Sequence, residues 1–458
     1  MADPLLQFFT QMDNLGIVVV KDAPKLDLDL YIQNYRGRTR FDRLFLIGRS
    51  SVTLCIDALK AAIAEAKRGR DTQRYRDAVE CLRIASPSDP EANFDQKWLE
   101  QQEVANRAET ARLQAELKVY KNNLIKESIR MGHEDLGKHL ESTGDLNGAA
   151  DAYSKMRPDI SQVKHLIDVG KHLIRVSIQR REWAMINAHL AKMTFAGQYP
   201  EEEKATQPYM SIARGIAYLG SGEYYSAAIC FLGADSNINL SATYADIASR
   251  NDVAIYGGLL ALASMDRDEL QREVLDNSSF RVFLELEPHL RRAITMFVNG
   301  RYSSCIEILE AYRPDYLLDI YLQKHISTIY AKIRSKCIVQ YLIPFSRVSL
   351  DTISKAFGSP EQSIEQELAA MIQEGTLKGR INLIDRLITT VRADPRSRMQ
   401  SDALYAAEDY ERQAIERLRR MSLAAADLEL KGPKKNTLPS MSGSNDFLDF
   451  VEEQKIAF

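Results

Sequence analysis

No run of the chain approaches the roughly 20 apolar residues that a membrane-crossing helix needs. The longest are "GIVVV" from Gly16 and "GGLLALA" from Gly257. The opening "MADPLLQFFTQMDNLG" carries acids where a signal peptide needs a basic start, so none is expected. Cysteine is scarce: Cys55, Cys81, Cys230, Cys305 and Cys337 lie far apart with no CxxC, and their number is odd. That argues against a disulfide framework and fits a reducing compartment, cytoplasmic or nuclear. The formal net charge is −3 over 458 residues, so the chain lacks the basic balance of a nucleic-acid binder. The seven histidines (His133, His139, His165, His172, His189, His289, His325) never pair as HxH or HExxH, the spacings that put two imidazoles on one metal. P-loop, GxGxxG and GxSxG signatures are also missing. No catalytic, cofactor-binding or metal-ligating residue is singled out, and no cofactor is expected. A dispersed cysteine–histidine pair stays open.

What remains is an ordinary globular composition, 45% hydrophobic and 27% charged, with length for about three domains. Within it one pattern returns. "GDLNGAADAY" at Gly144, "GEYYSAAICF" at Gly222 and "GRYSSCIEIL" at Gly300 share a shape, and both gaps are 78 residues. A weaker copy, "REWAMINAHL" from Arg181, falls 37 residues after Gly144 and 41 before Gly222. The unit is therefore a helical pair of about 39 residues, in the range of TPR-like and HEAT-like repeats. A Gly closes one helix, an aromatic or apolar residue opens the next, and small residues admit a close neighbour. Stacked units share one core and present a curved surface. Chance recurrence of Gly and Ala is the bland alternative.

The flanks differ in texture. "SPSDPEANFD" is a loop by its Pro, Ser and Asp content. Phe94 to Gly132 then runs without proline, with Leu113, Leu117, Tyr120, Leu124 and Ile125 at helical spacing, which predicts one long helix or two in line. After the repeats, "SLDTISKAF" reads as a helix capped by Ser349. "SPEQSIEQELAAMIQEG" reads as a second, with Ser359 at the N-cap, Pro360 at its first position, Gln362 completing a capping box and Gly375 at the end. "TLKGRI" and "RLITTV", split by "NLID", predict a hairpin. Two helices and a hairpin in that order make a winged helix. From Ser401 to Leu428, Ala403, Ala407, Tyr410, Ala414, Leu418, Met421, Ala425 and Leu428 form an apolar stripe that calls for a partner helix. The division expected is 1–93, an extended and helical lead-in; 94–312, a helical-repeat arm; 313–398, the end of a second helical part plus the winged helix; 399–430, a bundle helix; and 431–458, a linker and an acidic-aromatic tail. The fold class is all-α with a small α+β module.

The stretch "YRGRTRFDRLFLIGR" holds Arg36, Arg38, Arg40, Arg43 and Arg49. It reads either as a patch for a phosphate or acidic partner or, with more weight, as a solvated helix start whose arginines pair with nearby acids such as Asp42. Lys378, Arg380, Arg386 and Arg392 on the wing raise a DNA role, which Asp385 and the preceding glutamates dilute. For His133 and His139 a structural role outweighs a ligand role.

A helical-repeat superhelix that runs into a winged helix resembles the PCI family of scaffold subunits. The wording of "LDLYIQNYRGRTRFDRLFLIG", "IKESIRMGHEDLGKHLESTGDLNGAADAYSKMR", "NDVAIYGGLLALASMDRDEL" and "SSFRVFLELEP" is similar to the COP-nine signalosome branch over about residues 25–400, more than to the related proteasome-lid branch. The resemblance implies a non-catalytic scaffold. Its winged helix would pair edge to edge with other PCI subunits, and its C-terminal helix would join a bundle. A separate metalloprotease-type subunit would remove the ubiquitin-like Nedd8 from cullins of cullin-RING ligases. On this reading Leu377, Ile381, Leu387, Thr389, Val391, Tyr410, Leu418, Met421 and Leu428 are interface candidates, with "RLITTV" as the pairing strand. A proteasome-lid subunit and a nucleic-acid-binding PCI protein are the alternatives, and an unrecognised enzyme is a further one.

Overall fold

A computed structural model describes residues 4–160, 162–194, 200–234, 244–358, 364–390, 395–426 and 428. The chain forms two units, one up to Thr390 and one from Val391 onward.

The recurring glycines have a conformational cause. Gly144, Gly222 and Gly300 have φ of +99°, +82° and +76°. Each stands where a helix ends and the chain reverses: after Lys126–Thr143, Pro200–Ser221 and Pro288–Val298. Their partners are Leu146–Lys155, Tyr224–Leu232 and Tyr302–Leu317. A left-handed residue closes a helix cheaply only when it has no Cβ. At Gly144 there is a second reason, because a Cβ would sit 2.6 Å from the Asp71 carboxylate. The half-period copy uses the same turn without glycine. Arg181, between Val163–Gln179 and Trp183–Thr194, has φ +60°, which costs about 1–2 kcal/mol for a residue with a Cβ. Small residues let the helices close up, as the pattern implied. A Cβ on Gly137 would strike the Tyr153 ring at 2.5 Å, and one on Gly215 the Phe231 ring at 2.7 Å. Ala149, Ala227 and Ala228 are fully buried. One continuous core, including Ile216, Phe231, Tyr256, Phe280, Phe297 and Ile329, runs from Ile174 on into the winged helix, and the first helices of the arm bury smaller clusters of their own.

The proline-free run before the repeats is not a straight rod. Gln96–Asn123 ends at Leu124, whose φ is +54°, and Lys126–Thr143 folds back along it. Leu113 and Leu117 are then buried against Ile129, Leu136 and Ala152. The reversal has neither glycine nor proline, so helical spacing alone carried no sign of it.

The first 93 residues contain the helices Pro4–Asn14, Leu28–Gln33, Gly37–Ser50, Cys55–Arg68 and Thr72–Ala85, with a core around Phe8, Tyr35, Leu44, Leu59 and Tyr75. This layer is fastened to residues more than 200 positions away. The Lys25 N–H donates to Asp315 at 2.8 Å, and the Tyr35 hydroxyl to Asp252 at 2.7 Å. At the centre is Arg43, fully buried on the helix Gly37–Ser50. Its two terminal nitrogens donate to Asp319 at 2.7 Å and to Asp252 at 2.8 Å. Its guanidinium lies 4.0 Å from the Tyr35 ring centroid and also reaches the Tyr31 and Tyr256 hydroxyls. Asp252 is doubly engaged, because its side chain also closes the capping box with Ser249 that starts Arg250–Ser264. Asp319 accepts the backbone N–H groups of Tyr321 and Leu322 as well.

Buried charges are tolerated only when paired and fully hydrogen-bonded, and removing one partner is far worse than removing both. Arg43→Met would leave two carboxylates facing each other in the core. Urea unfolding should show a loss of about 3–5 kcal/mol, with Arg43→Lys recovering part of it, since one ammonium cannot fork to both acids. A midpoint like that of the wild type in Arg43→Met would refute this role.

Candidate assembly surface

The winged helix is built as the local sequence dictates. Strand β1 (Arg347–Ser349) leads into Leu350–Phe357, whose first turn is capped by the Ser349 side chain accepting from Asp351 N–H at 3.2 Å. Ile364–Gln373 follows and ends before Gly375, φ +77°. The expected cap at Ser359, Pro360 and Gln362 lies outside the described residues. Ile353, Phe357, Ile364, Leu368 and Met371 bury the apolar faces of both helices. The hairpin is β2 (Gly379–Asn382) and β3 (Leu387–Thr390).

The sheet order is β1-β3-β2, which changes the reading of the edge. β3 is the central strand: Thr389 stands opposite Arg347 on one side and Arg380 on the other. Its backbone is already used, so Leu387 and Thr389 do not offer the free edge expected of "RLITTV". A strand pairing with β1 was not visible in the sequence, because "RVS" is too short to show alternation. The free rim next to the hairpin belongs to β2. Thr390 N–H donates to the Ser346 carbonyl and Leu350 N–H to the Arg386 carbonyl, so Thr390 of β3 and Arg386 just before it face the β1 side. By the alternation of an antiparallel ladder, Arg380 and Asn382 face β3, while Gly379 and Ile381 turn their N–H and C=O groups outward.

The remaining candidates divide. Leu377 is 5% exposed and belongs to the core. Ile381 is half-buried, and Val391 lies outside the described residues. The hairpin tip carries Leu383 and Ile384, 66% and 94% exposed, which pattern reading passed over as turn residues. In the second unit, the helix Pro395–Ala425 exposes Tyr410, Leu418 and Met421, and Leu428 beyond it is exposed too. Its charged positions pair along the same helix, as in Arg420–Glu416 and Arg412–Asp409.

The arginine run resolves residue by residue. Arg43 is withdrawn into the core, so neither reading of it as a surface group holds. Arg38 pairs with Asp71 at 2.8 Å and donates to the Glu141 carbonyl, and Arg40 approaches Glu65 at 3.5 Å. Arg36 is exposed. The acids concerned are distant in sequence, and the neighbour Asp42 holds Arg74 instead, at 2.6 Å.

The histidines are fillers of packed space. His133 and His139 are both 4% exposed, and His139 Nε2 lies 2.9 Å from the Thr110 hydroxyl. His172 stacks on Tyr153 at 4.6 Å, and His289 on Tyr312 at 3.7 Å. Among the described residues, no group of three or more His, Cys, Asp or Glu side chains could hold a metal, and no helix is long and apolar enough to cross a membrane.

Two family profiles match successive stretches of the chain. Residues 95–273 match the family profile described as 26S proteasome subunit RPN7, and residues 309–391 match the PCI domain. COP9 signalosome complex subunit 1 of Neurospora crassa is 53% identical over 450 residues, covering 97% of this chain and 99% of that protein. The chain belongs to the COP9 signalosome subunit 1 family. The Emericella nidulans member is 48% identical over 91% of this chain and 85% of its own length. The proteasome regulatory subunit 6 homolog of Arabidopsis thaliana is 22% identical over 69% of this chain, which places the signalosome family ahead of the lid alternative. In this member of the family, helical repeats run into a PCI winged helix.

Burial lowers three histidines to about 4: His172, with Arg175 adding to the effect, His189, with Arg157, and His289, with Lys25. Each is neutral in the fold, whereas in the unfolded chain it titrates near 6.5. The unfolded state therefore takes up more protons between these values. The stabilisation is full above about pH 6.5 and is lost as pH falls toward 4. His172→Phe keeps a ring against Tyr153 and removes the proton site. Its melting temperature should fall less than that of the wild type between pH 6.5 and 4.5, and parallel curves would refute the assignment.

Proposed function

We propose that this chain is a non-catalytic scaffold of the COP9 signalosome, the complex in which a metalloprotease-type subunit removes Nedd8 from cullins of cullin-RING ligases. It acts in the cytoplasm and nucleus. Its partners are other PCI subunits and the metalloprotease-type subunits, with cullin-RING ligases engaged through the assembled complex. The observation that carries this reading is the outward-facing rim of β2 next to an exposed apolar hairpin tip. An edge strand with free N–H and C=O groups is a template for strand addition. The exposed stripe of Pro395–Ala425 supplies a second, chemically different contact, knobs for a helix bundle.

Ile381→Pro tests the edge. Proline removes the outward N–H of Ile381 and leaves the inner ladder through Arg380 and Asn382 in place. Ile381→Val, which keeps the N–H, is the control for side-chain packing. Co-purification with the other PCI subunits should fall in the proline variant and persist in the valine variant, while far-ultraviolet circular dichroism stays helical. Equal recovery of partners by both variants would sink edge pairing through β2.

Leu418→Asp with Met421→Asp tests the helix. Burying either side chain against a partner stabilises association by about 1.5–3 kcal/mol, so the double variant should leave the complex while the helical arm remains folded. Incorporation at the wild-type level would show that this face is not in the bundle.

A further inference from the structure

Where the N-terminal layer lies against the inner turns of the arm it encloses a cavity of about 660 Å³. That is within the range of small-molecule sites, roughly 300–1,000 Å³. Five cationic side chains line it, Arg49, Arg74, Arg175, Arg181 and Lys324, against two carboxylates, Asp42 and Asp246. Both carboxylates are occupied: Asp42 holds Arg74 at 2.6 Å and Asp246 holds Arg175 at 3.2 Å. Arg49, Arg181 and Lys324 form no ion pair among the described residues. Arg181 rests instead over the Tyr321 and Trp183 rings, 5.2 and 5.8 Å from their centroids. Arg49 lies 5.2 Å from the Phe45 ring, and its Nε is buried with no hydrogen-bond acceptor.

Three cations without a carboxylate partner line one concave volume, Arg49 half-buried and Arg181 and Lys324 exposed to solvent, and together they make its potential positive. Arg181 additionally holds the left-handed turn that glycine takes at Gly144, Gly222 and Gly300. We propose that this cavity binds a small polyanion carrying two or three linked phosphates. One carboxylate could neutralise only one of the three cations. A linked phosphate chain carries several charges in a compact body and presents oxygens that match the guanidinium fork. A nucleotide carries the same linked phosphates, so the group is either free or part of a nucleotide.

The test is isothermal titration of the full-length chain with sodium tripolyphosphate at constant ionic strength, with ATP, sodium sulfate and a polyglutamate peptide alongside. Tripolyphosphate should bind saturably and more tightly than sulfate. Charged hydrogen bonds of this kind are worth about 1.5–3 kcal/mol, so Lys324→Gln and Arg49→Gln should each weaken it by roughly tenfold or more. Lys324 is exposed, so its variant should melt like the wild type and isolate the binding effect. ATP binding much more tightly than tripolyphosphate would identify a nucleotide, and equal affinities a free phosphate chain. No saturable heat at millimolar tripolyphosphate, unchanged affinity in both variants, or a preference for polyglutamate would each overturn the proposal.

Discussion

One fork of hydrogen bonds sets the geometry of the first unit. Arg43 reaches Asp252 with one terminal nitrogen and Asp319 with the other, in a place without water to screen it. A guanidinium is planar and rigid, so both carboxylates must hold their positions to within tenths of an ångström for the bonds to form. Asp252 is held because it caps its own helix, and Asp319 because it binds the backbone of the turn that follows it. The N-terminal layer therefore has one seating on the arm. The cavity, the close approach of Asp71 to Gly144 and the Arg38 hydrogen bond to the Glu141 carbonyl all rely on that seating.

How much of this could be read beforehand depended on the range of the interaction. Local conformational demands were legible: three glycines at even spacing stand where φ must be positive, and Ser349 stands where a helix needs a cap. Helical pairs and the two winged-helix helices follow from such demands together with apolar periodicity. What failed needed a distant partner. Nothing near Arg43 announces Asp252 or Asp319, and the pattern of an arginine on a helix start is the same for a solvated group and a buried one. The reversal at Leu124 is made by a residue that rarely adopts that conformation. The central place of β3 depends on a three-residue strand nearly forty positions earlier, so the hairpin was legible while its free side was not.

The two proposed assembly surfaces differ in what they would demand of a partner. The β2 rim offers main-chain groups, so it selects for extended backbone and is nearly indifferent to side chains, apart from the apolar tip at Leu383 and Ile384. The stripe of Pro395–Ala425 offers side chains at steps of three and four and selects for shape. Two contacts of unlike chemistry on one chain raise the effective concentration of the second once the first is made, provided both can be engaged at once. On the proposed reading, discrimination among similar PCI subunits would not rest on the generic strand contact alone.

The clasp at Arg43 has a consequence for how the chain is made. Its two acids lie 209 and 276 residues further along. At a ribosomal pace of about 5–20 residues per second, roughly 14–55 seconds separate the emergence of the arginine from that of its last partner. Throughout that interval the first helices have a cation and a ring of tyrosines with nowhere to settle. The N-terminal layer is thus synthesised well before it can dock, its seating signalling that the chain around Asp319 has arrived.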